Sequence, residues 1–258
     1  MSAQPPTRRD QTREKILHAA IGEFSEHGLA GARISAIAQA ANVNKALLYY
    51  YFTDKEAMYT AALEEVAAKV AGQAMAVLEL DCSAGERMLR FALQHFDRIL
   101  SQQGFQALMQ QEMIRYRLGQ SHAMGIIAKR AFEPTFSRVQ QIAEEGIRTG
   151  ELCPVDWTQM LYSALGANVF YFLSAPMMQM MFARDLFDPE EVAARRTSAI
   201  QFLGQALFTD RSRGAQIAKS VLAAMPIPEF DRRGVPGTLL AEGGKTAGPR
   251  AGGKKKTA

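Results

Sequence analysis

Lys45, Tyr49, Tyr50, Tyr51 and Lys55 crowd into one short stretch, NKALLYYYFTDKE, and side chains of these types recognise phosphate. Lysine brings a positive charge and tyrosine a hydroxyl that bonds a phosphate oxygen. Ala46 is small enough to let a backbone approach base edges, and Leu47 suits contact with a thymine methyl. No comparable pattern supports catalysis. His18, His27, His95 and His122 have no metal-ligand spacing with one another or with Cys82 and Cys153. A glycine-rich phosphate loop, a nucleophile elbow and a paired-carboxylate signature are all missing from the sequence. The chain therefore reads as a binding protein and not an enzyme, with no metal and no cofactor expected.

The flanking residues predict how this stretch is held. Ile37, Ala38 and Ala41 make one apolar stripe at helical spacing, and Val43, Leu48 and Phe52 make another beyond a reversal. Asn42 falls at the reversal, and asparagine tolerates the left-handed backbone a tight turn needs. Asn44 is a natural N-cap for a helix beginning at Lys45. Two short helices around a tight turn form a helix-turn-helix, whose second helix enters the DNA major groove. At about 100° per residue, Leu48 and Phe52 face inward while Ala46, Leu47 and Tyr50 face outward. Thr53 with Glu56 reads as a capping box for the next helix. Lys55 then lies in a first turn, against that helix's dipole, which points to a phosphate contact instead of a structural one.

The stretch from about Thr12 to Tyr59 resembles the DNA-binding domain of the TetR family of bacterial transcriptional regulators. The matching pieces are REKILHAAIGEFSEHGLAGARIS, IAQAANV, KALLYYYF and TDKEAMY. Asn42 stands where family members commonly have Gly, Asn44 where they have Ser, and Ala46-Leu47 where they have Gly-Thr. The resemblance implies that Lys45, Ala46, Leu47 and Tyr50 lie near bases, and that Ser35, Tyr49, Tyr51 and Lys55 contact the DNA backbone. It also implies a homodimer formed through two late helices, a palindromic operator, and a small-molecule effector held in the body, as in a ligand-responsive repressor. The competing reading is an all-α effector-binding or interaction protein that uses its helix-turn-helix for a non-transcriptional role.

Bulk properties agree with contact to DNA at one end only. The chain has 258 residues, 48% of them hydrophobic, and a formal charge of +4. That charge sits in the tail: from Arg211 onward there are ten Lys/Arg against three Asp/Glu, leaving 20 against 23 before it. Two distant cysteines suit a reducing cytoplasm, and MSAQPPTRRD has no apolar run of the kind a signal peptide needs.

Helical patterning runs nearly throughout, so the fold class is all-α. A flexible arm over 1–9 and a three-helix DNA-binding domain over 10–54, starting at Asp10 or Thr12, are expected. Next comes a helical ligand-binding and dimerisation domain over 55–210, then a short helix near 215–225 and a disordered basic tail within 211–258. Ser83 with Glu86, Asp156, and Asp188 before Pro189 mark helix starts, and Pro134 is expected to bend or restart a long helix over 122–149. No charged residue occurs from Trp157 to Ala183. Its polar interruptions and lack of a preceding basic flank argue against a membrane span, and burial between the body and a second subunit is the alternative. The dimer role falls to helices near 156–175 and 189–208, the second carrying Val192, Ala193, Arg196, Ala199, Ile200, Leu203 and Leu207. For an effector pocket the wall candidates are Phe91, Met109, Met113, Tyr116, Phe136, Phe170 and Tyr171, with His95 and Arg115 to orient the ligand.

Overall fold

The computed structural model describes residues 7–230 and is all-α. The basic tail beyond Phe230 and most of the expected N-terminal arm lie outside the described residues. Three helices form the reading head: α1 (Arg8–Gly31), α2 (Ile34–Ala40) and α3 (Lys45–Tyr51). The first starts earlier than expected because Thr7 and Asp10 close a capping box around its first turn. Its expected stop at Gly28 is a kink: Gly28 takes φ 64° and the helix resumes to Gly31. A Cβ at Gly28 would also press on the Gln111 side chain, 3.1 Å away.

The next helix, α4 (Lys55–Leu78), runs from the head into the body. Its cap corrects the sequence reading. Asp54, not Thr53, is the N-cap, and its carboxylate accepts from the Ala57 amide at 2.7 Å. The side chain of Glu56 turns outward to another partner.

The body adds α5 (Ala84–Ser101), α6 (Gln103–Arg117), α7 (Ala123–Ile127), α8 (Glu133–Arg148), α9 (Trp157–Leu173), α10 (Ala175–Phe182), α11 (Pro189–Leu207) and α12 (Arg211–Ala224). Ser83, Asp156 and Asp188 cap α5, α9 and α11 as their sequence positions predict. Pro134 has no N–H to return to the carbonyl four residues back. The backbone ahead of it opens into a π turn over Ala128–Phe132, where the Glu133 amide reaches Ala128.

The head shares its core with the body. Phe24 of α1 meets Tyr59 of α4 edge to face at 5.1 Å, and Phe105, Leu108 and Met109 of α6 join the same apolar cluster. A second cluster joins the far half of α4 to α5, α8, α11 and α12. In α11, Val192, Arg196, Ile200 and Leu207 point into this body, so the stripe predicted to meet a second subunit packs inside its own chain. The opposite face is the free one. The last helix begins at Arg211 under an Asp210 cap, and Ala218 and Val221 are fully buried. Gly204 and Gly214 let α11 and α12 approach so closely that a Cβ on Gly204 would sit 2.7 Å from the Gly214 carbonyl oxygen. Among the described residues, no helix is long and apolar enough to cross a membrane.

Candidate nucleic-acid interface

Asn42 supplies the left-handed residue of the turn, at φ 54°. Asn44 caps α3 by accepting from the Leu47 amide at 2.8 Å. Leu48 and Phe52 are buried beneath, which fixes the roll of α3. Lys45, Ala46, Tyr49 and Tyr50 are left exposed, with Tyr50 at 65%, and Leu47 is half-buried at the edge of the same face. Ser35 is exposed in the first turn of α2. No carboxylate occurs in α2 or α3, so this face presents lysine, hydroxyls and small apolar groups without a competing negative charge.

Two of the expected backbone contacts also have partners inside the protein. The Tyr51 hydroxyl donates to the Arg9 carbonyl at 3.2 Å. The Lys55 ammonium donates to the Ala30 carbonyl at 3.2 Å, so a structural role does account for a lysine in the first turn of α4. Arg9 and Arg13 escaped the sequence reading. Arg9 lies over the Tyr50 ring at 5.6 Å and Arg13 over the Phe52 ring at 5.7 Å, which adds guanidinium charge beside α3. Only the packing of the start of α1 against α3 reveals this; the basic run R-R-D-Q-T-R was the one available signal.

Behind the head, Arg115 of α6 ties the first turn of α4 to the body. Its guanidinium bonds Glu56 at 2.8 Å and Glu112 at 3.1 Å, and lies 5.6 Å from the Tyr59 ring centre. Glu112 is fully buried and also accepts from the Ser121 hydroxyl in a short hydrogen bond. Burial beside Glu112 pushes the Tyr59 phenol up to about 12.

The residues expected to line one effector pocket are scattered. Phe91 and Met109 are buried in two different apolar clusters, while Met113, Tyr116 and Phe170 lie on the surface, Phe170 at 63%. Arg115 is engaged with Glu56 and Glu112, Phe136 stacks near Phe132, and the Tyr171 hydroxyl donates to the Leu186 carbonyl at 2.9 Å. His95 is different. Burial and the nearby Arg98 charge push its pKa down to about 3, and its Nδ1 lies 3.4 Å from the Asn168 amide nitrogen.

Residues 16–62 match the model of the bacterial regulatory proteins of the tetR family, and residues 85–203 match a tetracyclin repressor-like C-terminal domain. The chain belongs to the TetR family. Among curated TetR-like relatives, it is 42% identical over 81 residues to the Pseudomonas putida repressor NicS, covering 31% of this chain and 38% of NicS. Against Escherichia coli RutR it is 44% identical over 54 residues, covering 21% of this chain and 26% of RutR. The chain thus spans well under half the length of the curated relatives it matches. Solved structures extend the likeness of fold over the body. The fatty acid degradation regulator FadR of Bacillus halodurans has a TM-score of 0.59 at 18% identity, covering 78% of this TetR chain and 96% of FadR. Reduced NemR of Escherichia coli has a TM-score of 0.58 at 22% identity, covering 77% of this chain and 98% of NemR.

Proposed function

We propose that this protein is a homodimeric transcriptional repressor, responsive to a small molecule, that binds palindromic operator DNA through α3. The observation that carries the reading is the exposed Lys45–Tyr50 face. It is free of carboxylates, fixed in roll by Leu48 and Phe52, and flanked by Arg9. In it Lys45, Ala46, Leu47 and Tyr50 approach bases. Ser35 and Tyr49 hold phosphates directly, while Tyr51 and Lys55 do so from positions braced within the head.

A single head reads few base pairs, and a dimer adds the binding energy of two half-sites about 34 Å apart. The outer faces of α9 and α11 support that assembly. Tyr162 and Phe202 are 73% and 69% exposed there, beside an open groove of about 480 Å³ lined by Met160, Ala164, Ala167, Ala199, Phe202 and Ala206. A second copy of the same faces covers this apolar surface, as its residue types demand. The effector changes the separation of the two heads through α4, whose first turn Arg115 couples to α6. It does so only by binding one separation better than the other. The reading head over 10–54 and the body over 55–210 act as two functional units, with α12 packed on the second.

A gel-shift against the DNA upstream of the protein's own gene, followed by selection from a randomised library, tests the reading. A salt-sensitive shift on a two-fold symmetric site is expected. Absence of any sequence-selective shift, with or without candidate effectors, would overturn it.

A further inference from the structure

Arg98 stands alone among the arginines of α5. Arg87 pairs with Glu145 at 3.0 Å and Arg90 with Glu86 at 2.7 Å. Arg98 has neither a salt bridge nor a side-chain hydrogen bond to any described residue, although it is mostly buried. Its neighbour Asp97 is turned away and held by Arg196 through two contacts of 2.7 Å. Burial alone, with no opposing carboxylate, pushes the Arg98 guanidinium down to about 10. A buried guanidinium without a counter-charge is costly and is retained where an anion arrives to pair with it.

The surroundings narrow that anion. Phe91, His95 and Arg98 succeed one another at helical spacing, so they share one face of α5. One side of this face is marked by Gln94 bonding the Gln73 carbonyl of α4 at 3.0 Å, and the other by His95 beside Asn168 of α9. Phe91 belongs to the apolar cluster built with Ala74 of α4 and Val139 and Ala143 of α8, so the face looks into the body. The Asn168 amide also donates to the Ala92 carbonyl at 3.2 Å, and its position makes His95 Nδ1 the acceptor. The neutral ring then carries its proton on Nε2, free to donate. This site offers one permanent positive charge, one neutral donor and an apolar wall.

We propose that Arg98 is the anchor of an effector site in the body, and that the effector is a small monocarboxylate on an apolar frame. The proposal deepens the regulator reading and rests on it. The planar guanidinium fork matches a carboxylate in two parallel hydrogen bonds. One negative charge balances Arg98, whereas a phosphate dianion would leave a buried charge in excess because His95 stays neutral.

Octanoate and benzoate are the probes, with octanamide, benzamide and inorganic phosphate as controls, each titrated into the full-length protein by calorimetry and thermal melting. At least one carboxylate is expected to bind saturably and raise Tm, while its amide does not. Arg98→Met is expected to weaken that carboxylate about thirtyfold or more, the loss typical of removing one partner of a buried charged pair. Ligand-free Arg98→Met is also expected to melt higher than wild type, because an uncompensated charge has gone. Binding of neither carboxylate, an unchanged affinity in Arg98→Met, an equal response to the amide or to phosphate, or a lower Tm for the ligand-free variant would each overturn the proposal. Operator binding by the ligand-free wild-type protein, measured in parallel, separates the two ideas. Its absence removes the regulator reading while an Arg98-dependent carboxylate signal stands unaffected.

Discussion

Single side chains at the reading head divide the work of binding DNA. Lys45 is a charge on an exposed face, so Lys45→Ala should weaken all DNA sequences alike and lower the salt slope of binding by about 1, read from titrations at several salt concentrations. Leu47 lies at the edge of that face, and Leu47→Ala should instead change base preference in a randomised-operator selection. Asn44 acts on folding, since its side chain satisfies the Leu47 amide. Asn44→Ala should cost about 1 kcal/mol in urea unfolding, the usual value of an N-cap. His95 sets an acid limit. Its folded pKa, about 3, is below the ordinary histidine value of 6.5, so the unfolded chain takes up a proton first as pH falls. The stability it contributes is complete above about 6.5 and is lost on the way down to about 3. His95→Gln should flatten the fall of Tm between about pH 7 and pH 4.

Between elements, the contacts that matter are those where two helices must come unusually close or share a buried charge. Arg196 of α11 is 4% exposed, and its charge is balanced by Asp97 of α5. Asp97→Ala would strand that guanidinium and should destabilise the body by about 3–5 kcal/mol, measured by chemical unfolding. At the α11–α12 crossing, a methyl group on Gly214 would overlap the Gly204 carbonyl oxygen. Both positions are helical, so the glycines are there for closeness and not for a left-handed turn. The Arg115 link between α4 and α6 belongs to this scale too. Helical periodicity brought out the elements themselves, but a link between residues 56 and 115 leaves no periodic trace in the chain.

For the whole molecule, the free faces of α9 and α11 decide whether two heads act together. Phe202→Asp puts a charge into that apolar surface and should convert a dimer into monomers in sedimentation, with operator affinity falling in step. The same faces explain how a charge-free run from Trp157 to Ala183 fits a helical body. Polar Asn168 is turned into the body, and aromatic Tyr162 and Phe170 are turned outward.

Local rules account for the features legible in the chain alone. The all-α class, the caps at Asn44, Ser83, Asp156 and Asp188, the turn at Asn42 and the roll of α3 all depend on residues within a turn or two of each other. Features that depend on distant neighbours emerged only once the helices were packed together. Which face of α11 is free depends on what α5 and α12 cover, and Val192, Arg196 and Ile200 carry the same spacing whichever side they face. The N-cap at Asp54 won over Thr53 because Glu56 had a better partner in Arg115. Scattering of the expected pocket wall has the same cause: methionines and aromatics at helical spacing record that a side chain is apolar, not which neighbour it meets. Arg98 shows this most plainly, since an unpaired charge is defined by the lack of a partner in space and not by anything in its own stretch of sequence.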